Sequence, residues 1–363
     1  MSADLFQSFE LGDLILSNRM VMAPMTRNRA DRDGVPPAMM RIHYQQRASA
    51  GLVITESVPI SPEGVGYPFT PGLYSDAQVA GWLRLTNAVR SAGGRIFAQL
   101  QHCGRISHPS MLPNDATPVA PSALLPAGKA VTYAGMQDFV TPRALETDEV
   151  PGIVAQFKRA AEMARRAGFD GVEVHGANGY IIDQFLRDGS NRRDDAYGGS
   201  AQKRMRLLSE VLDAVCEVWS SSRVGVRLSP ENSFNSMSDS DPRAHFMYFV
   251  EQLGRRGLAY LHVLEGDMMT RSSVLDYAAL RGRFGGTYIA NNGYDLDRAQ
   301  QAVRTGAADL IAFGVPFLAN PDLVRRYKQK LPLNVADPAA FYGGDEAGYT
   351  DYPVYIAQDI AAA

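Results

Sequence analysis

The sequence predicts an α/β chain folded as a (β/α)8 (TIM) barrel. Three observations carry that prediction. Short, mainly apolar runs alternate with amphipathic stretches along all 363 residues. The runs lack strict polar alternation, as expected of parallel strands buried on both faces. Polar residues gather just beyond each run, where a barrel keeps its chemistry. A doubly wound sheet fits the same periodicity, so the pattern alone leaves both folds open.

In order, the strand candidates are Met20–Met25, Leu52–Val58, Ile96–Gln101, Gly171–His175, Val224–Leu228, Tyr260–Leu264, Thr287–Asn291 and Leu310–Phe313. Between them, Gly152–Ala167 sets Ile153, Phe157, Ala160, Ala161 and Ala164 on one helical face, with Thr147 as candidate N-cap. Ala201–Trp219 repeats the spacing through Met205, Leu208, Val211, Leu212 and Val215. Arg243–Arg255 and Asp295–Thr305 run toward Gly257 and Gly306, which suit C-caps. Two segments stand outside the repeat. Leu5–Asn18 turns at Gly12-Asp13 and predicts an N-terminal hairpin across the barrel bottom. His108–Thr147, rich in Pro, Ala and Gly, predicts a long ordered insertion after the third strand, over the barrel mouth. A single domain over residues 1–363 follows.

Composition excludes several function classes. A net charge of -3 leaves no basic footprint for nucleic acid. No run approaches the roughly 18 apolar residues of a membrane span, and Met1–Asp13 lacks the pattern of a secretory signal. Cys103 and Cys216, far apart, suggest neither a disulfide framework nor a metal cluster. The expectation is a cytoplasmic monomer or homodimer acting on small molecules.

The strand ends carry the candidate chemistry. After the seventh and eighth strands, Gly293 and Gly314 lie where barrels often cradle a phosphate on backbone N–H groups. At the fourth, His175, Asn178 and Tyr180 lie within six residues. Two neutral donors beside a phenol suit polarising a carbonyl and supplying a proton. A packed core histidine, a turn asparagine and a buried tyrosine explain the same residues without chemistry. A zinc site from His102, His108 and His175 has no supporting spacing, so no metal is expected.

Longer runs bring a resemblance. His175-Gly-Ala-Asn178-Gly-Tyr180 through Tyr197-Gly-Gly-Ser, together with Ala23-Pro-Met-Thr26-Arg-Asn-Arg, His102-Cys-Gly-Arg-Ile-Ser-His-Pro and Phe313-Gly-Val-Pro-Phe-Leu-Ala-Asn-Pro-Asp, closely resembles the Old Yellow Enzyme family. The likeness extends to Phe341-Tyr342-Gly-Gly and Gly348-Tyr-Thr-Asp-Tyr-Pro. It implies the barrel, non-covalent FMN across its mouth, and NADPH or NADH as hydride donor. Pro24, Met25, Thr26, Ser57, Gln99 and Arg227 would border the flavin ring, with Arg227 placed to stabilise the reduced form. Asn292, Gly293, Phe313, Gly314 and Val315 would form the phosphate side. His175 and Asn178 would bind the oxygen of an α,β-unsaturated carbonyl or nitro group, and Tyr180 would protonate the α-carbon. Thr26, Tyr67, Gln101, Phe234, Asn235 and Tyr342 would line the substrate pocket.

The implied activity is a ping-pong ene-reductase. Reduction of nitroesters or nitroaromatics on the same site is an alternative, and a non-catalytic barrel with weak FMN binding a remote one. The last is motivated by Val315, where the family commonly has an arginine for the phosphate. Gln101 replaces a frequent bulky aromatic, which predicts altered selectivity. Cys103 beside it reads as packing ahead of a redox sensor.

Overall fold

The computed structural model describes residues 3–356. Eight parallel strands close into a barrel in sequential order. They are β1 (Met20–Met22), β2 (Leu52–Pro59), β3 (Ile96–Gln101), β4 (Gly171–Gly176), β5 (Val224–Leu228), β6 (Tyr260–Leu264), β7 (Tyr288–Asn291) and β8 (Leu310–Phe313). β8 pairs with β1, Ile311 opposite Met20, and closes the ring. Every residue of these strands is buried, which is why the runs read as apolar without alternation. The principal helices are α1 (Ala38–Gln46), α2 (Asp76–Ser91), α3 (Val150–Arg166), α4 (Arg206–Cys216), α5 (Pro242–Gly254), α6 (Tyr277–Phe284), α7 (Leu296–Thr305) and α8 (Leu323–Gln329). They form the outer layer, and none is long and apolar enough to cross a membrane.

The predicted hairpin is present as Phe9–Leu11 paired with Leu14–Leu16. Its Leu11, Leu14 and Leu16 share one buried cluster with Leu52, Ile54, Phe97, Tyr260, Ile289 and Leu310 from inside the barrel. Each such side chain contributes about 1.5–3 kcal/mol by leaving water, so the hairpin is the barrel's floor. Gly225 is required in β5 because a Cβ there would lie 2.2 Å from the Tyr260 ring.

The structure corrects four local expectations. β1 stops at Met22, because the chain turns into Pro24, although Ala23 N–H still reaches the Phe313 carbonyl at 3.0 Å. The Ala201–Trp219 helix is broken: a short turn, Ala201–Arg204, precedes α4, and Met205 caps both pieces. Thr147 does not cap α3; its hydroxyl binds Asp195, and the helix starts after Glu149 with Pro151 in its first turn. α5 ends at Gly254, so Gly257, at φ 63°, serves the turn into β6 and does not cap the helix. Gly306 does cap α7, at φ 73°.

The 108–147 insertion is ordered. It holds a hairpin, Lys129–Thr132 with Gly135–Asp138, and a short parallel pair, Val119–Ala120 with Arg143–Ala144. The segment around 340–349 folds back on the barrel. Arg27 donates to the Ala340, Phe341 and Gly348 carbonyls, and Arg29 to those of Ala340, Asp345 and Ala347. Both clamps follow directly after Thr26, so the rim of β1 and the segment bearing Tyr342 are held as one piece.

Candidate active site

The C-terminal rim of β4 presents His175, buried and opposite Arg227 of β5 in the strand register. Neither ring nitrogen of His175 has a hydrogen-bond partner among the described residues, and Nδ1 is fully buried. Burial, with Arg227 and His262 nearby, pushes its imidazole well below the usual range. The ring is therefore neutral and carries one N–H with no acceptor among the described residues.

Asn178 follows at φ 60°, a left-handed conformation that asparagine tolerates. Three contacts fix it. Its N–H donates to the Ser229 hydroxyl at 2.8 Å, its carbonyl accepts from the Asn235 amide at 2.8 Å, and its Oδ1 accepts from the Asn232 amide at 2.9 Å. With Oδ1 so engaged, the side-chain NH2 is the group left to donate. Tyr180 completes the set, its ring 5.2 Å from that of His175 and its hydroxyl donating to the Tyr67 hydroxyl at 3.2 Å. Burial, with Tyr67 and Cys103 beside it, pushes the Tyr180 phenol well above its usual range, so it keeps its proton. His175 and Tyr180 are thus neighbours in space, and Asn178, between them in sequence, is held by partners beyond β5.

Beneath them lies a network that sequence reading missed. Ser57 Oγ donates to Gln99 Oε1 at 2.6 Å, Gln99 Nε2 to Glu173 Oε1 at 2.7 Å, and Glu173 Oε2 meets His262 Nδ1 at 2.9 Å. Burial alone would raise the Glu173 carboxyl, but His262, Arg227 and Gln99 outweigh it and hold the group below the usual range. Burial pushes His262 down despite the carboxylate, so the contact is a neutral imidazole donating to a carboxylate. Glu173 lies two residues before His175, on the same face of β4, and that spacing was the available signal. At the β2 bulge between Ile54 and Ser57, the Thr55 hydroxyl accepts from Gln99 N–H at 3.1 Å, replacing a lost ladder bond.

The remaining predicted residues fall at the same mouth or beside it. Pro24, Met25 and Thr26 are half-buried at the β1 rim. Met25 Sδ lies 3.4 Å from where a Gly314 Cβ would stand, which joins that rim to the turn after β8. Arg227 is buried, donates Nη2 to Asn291 at 2.9 Å, and leaves Nε unpartnered. Asn292 stands at φ 100° and ties its amide to the Glu265 carbonyl at 2.8 Å. Phe313 packs its ring on Phe317 and Tyr327, so only its backbone faces the mouth. Val315 and Tyr342 are exposed, and Phe234 is half-buried.

Gln101 is buried and donates to Cys103 Sγ at 2.8 Å. Burial raises the Cys103 thiol to about 12, against the Gln101 contact, which supports packing over redox sensing. Tyr67 and Phe139 lean on the Cys103, Ile106 and Tyr180 cluster. Phe139, from the insertion, thus packs against the cluster that holds Tyr180, and no local pattern marked it. The histidines considered for zinc do not assemble. His102 Nδ1 accepts from Gly104 N–H and His108 caps a short turn. The grouping of metal-ligand types found among the described residues, Asp188, Asp239 and His245, includes none of them.

An unpartnered His175 Nδ1 and Arg227 Nε, both buried at the strand ends, together with the free Asn178 amide, fit a planar ligand rich in acceptors. The profile of the NADH:flavin oxidoreductase / NADH oxidase family matches residues 4–334. The chain belongs to this family. The Old Yellow Enzyme resemblance and the barrel it implied are thereby borne out, and the chain is an FMN-dependent oxidoreductase of the alkene-reductase kind. It is 45% identical to a probable flavin mononucleotide-dependent alkene reductase of Leishmania infantum, over 94% of this chain and 95% of that one. Morphinone reductase solved in complex with tetrahydroNAD is 48% identical, with a TM-score of 0.93 over 98% of both chains. The Old Yellow Enzyme homologue of Zymomonas mobilis is 42% identical, with a TM-score of 0.94 over 97% of this chain and 100% of that one.

The buried histidines also set an expected pH response. His43, His102, His175 and His262 are all buried, and burial pushes each imidazole down, His102 to about 4. An unfolded chain protonates them near 6.5, the folded chain only at lower pH. Stability present above pH 6.5 is therefore lost as pH falls below it, with His102 alone contributing on the order of 3 kcal/mol by pH 4. Thermal unfolding followed from pH 7 to 4.5 is expected to show a falling midpoint. A flat profile would mean these rings protonate in place.

Proposed function

We propose that the chain, acting as one FMN-binding unit, passes hydride from NADH or NADPH to the β-carbon of alkenes activated by a carbonyl or nitro group, in two alternating half-reactions. The observation that carries this reading is the pair of unsatisfied donors, His175 and the Asn178 amide, held beside a protonated Tyr180. When bound, FMN supplies the hydride relay between nicotinamide and alkene. Thr26, Gln99 and Arg227 would hold its ring, and the backbone at Asn292, Gly293, Gly314 and Val315 its phosphate. Gln99 keeps one amide hydrogen and one lone pair for this after binding Ser57 and Glu173.

The residues divide the work. His175 and Asn178 donate to the activating oxygen, and as charge develops there the two donors stabilise it more than the ground state. Their positions are set in advance by β4 and by Ser229, Asn232 and Asn235, so no reorganisation is needed. Tyr180 releases its proton to the α-carbon; the Asn235 amide favours that release, whereas the Tyr67 contact, in which Tyr180 is the donor, holds the proton on the phenol until then. Gln101 makes one wall polar, which favours substrates different from those of an aromatic-walled pocket. The residues named here all come from this chain, and the reading takes the protein as a cytoplasmic monomer or homodimer.

Anaerobic stopped-flow at the flavin band tests the reading. NADPH is expected to bleach the band and cyclohexenone to restore it. Bleaching without recovery would move the acceptor toward nitro compounds, and a protein unable to hold FMN would overturn the reading.

A further inference from the structure

Val315 offers no charge to a phosphate, yet a cation sits against the neighbouring turn. Arg298, in the first turn of α7, donates Nη1 to the Asn292 carbonyl at 3.1 Å and to the Gly293 carbonyl at 3.3 Å. Its guanidinium lies over the Tyr294 ring at 3.9 Å, and Nη2 is 3.6 Å from the Glu265 carboxylate. Glu265 is itself held by the Tyr288 hydroxyl at 2.9 Å and the Tyr294 hydroxyl at 2.8 Å. In a trans peptide the C=O and the following N–H point opposite ways. Pinning the Asn292 carbonyl toward Arg298 therefore turns the Gly293 N–H away from it. That N–H, and those of Gly314 and Val315, have no acceptor among the described residues.

We infer that Arg298 is the positioning residue of the phosphate turn: it fixes the turn's carbonyls toward itself, so that the Gly293 N–H faces the FMN phosphate where residue 315 offers no charge. The inference rests on the flavin reading above. It makes a phosphate-specific claim, since riboflavin shares the ring and ribityl chain but lacks the phosphate.

The experiment is titration of flavin-stripped wild-type protein and Arg298→Ala with FMN and, separately, riboflavin, read by quenching of flavin fluorescence. Arg298→Ala is expected to weaken FMN binding about tenfold, of the order of one charge-assisted hydrogen bond, and to change riboflavin binding less than twofold. Unchanged riboflavin affinity also shows that the variant is folded. Equal losses for both flavins, or no loss for FMN, would overturn the inference while leaving the flavin reading intact. A wild-type protein that bound neither flavin would sink that reading and this inference with it.

Discussion

Tyr180→Phe is expected to slow the oxidative half-reaction with an enone by about 10²-fold or more, the usual contribution of a placed general acid, while flavin reduction by NADPH changes less than twofold. The substitution keeps the ring that packs with Cys103 and Ile106 and removes only the hydroxyl. No proton passes to carbon while the nicotinamide reduces the flavin, so the two halves should separate. Because burial and its neighbours keep the phenol protonated well above the usual range, the wild-type oxidative rate should show no loss of this acid below about pH 10. Stopped-flow measurement of each half-reaction decides the matter. Equal slowing of both would make Tyr180 a packing residue and remove it from the proton path. His175 and Asn178 would still polarise the substrate oxygen, so slow residual turnover is expected to persist.

Much of this was legible in the sequence, for a physical reason. Strands buried on both faces leave continuous apolar runs with polar residues only at their ends, so Ile96–Gln101, Val224–Leu228, Tyr260–Leu264 and Leu310–Phe313 were delimited to the residue. The same logic hid Glu173 and His262, which point inward from the middle of such strands and are stabilised by partners from β3, β4, β5 and β6. Local signals failed where tertiary contacts took over the residue in question. Thr147 looks like a cap, yet Asp195, forty-eight positions away, claims its hydroxyl. Phe139 and the Arg27–Arg29 clamp on residues 340–348 are long-range as well. Asn178 was found as a motif residue, but its orientation depends on Ser229, Asn232 and Asn235, which have no local relation to it.

Arg187→Met tests whether that orientation has a single foundation. Arg187 and Asp183 form a buried ion pair one helical turn apart, 2% and 0% exposed, with Nε 2.9 Å from Oδ1. The other end of the guanidinium donates to the Asn232 carbonyl at 3.1 Å and to the Ser229 carbonyl. These are two of the three residues whose side chains grip Asn178, and Asp183 Oδ2 accepts from Gly179 N–H at 2.9 Å. Removing the cation strands a carboxylate that burial already pushes upward and frees two buried carbonyls. A loss of about 3–5 kcal/mol is expected, measured as a lower urea midpoint at unchanged slope. The double variant Asp183→Leu with Arg187→Met removes the stranded charge and should recover part of that loss. A phenolic ligand, whose oxygen would meet His175 and Asn178, should bind the single variant more weakly even where it remains folded. A midpoint shift worth less than about 1 kcal/mol would place the pair among the weak surface-like contacts, and the Asn178 donor would then have to be held by the Ser229, Asn232 and Asn235 side chains alone.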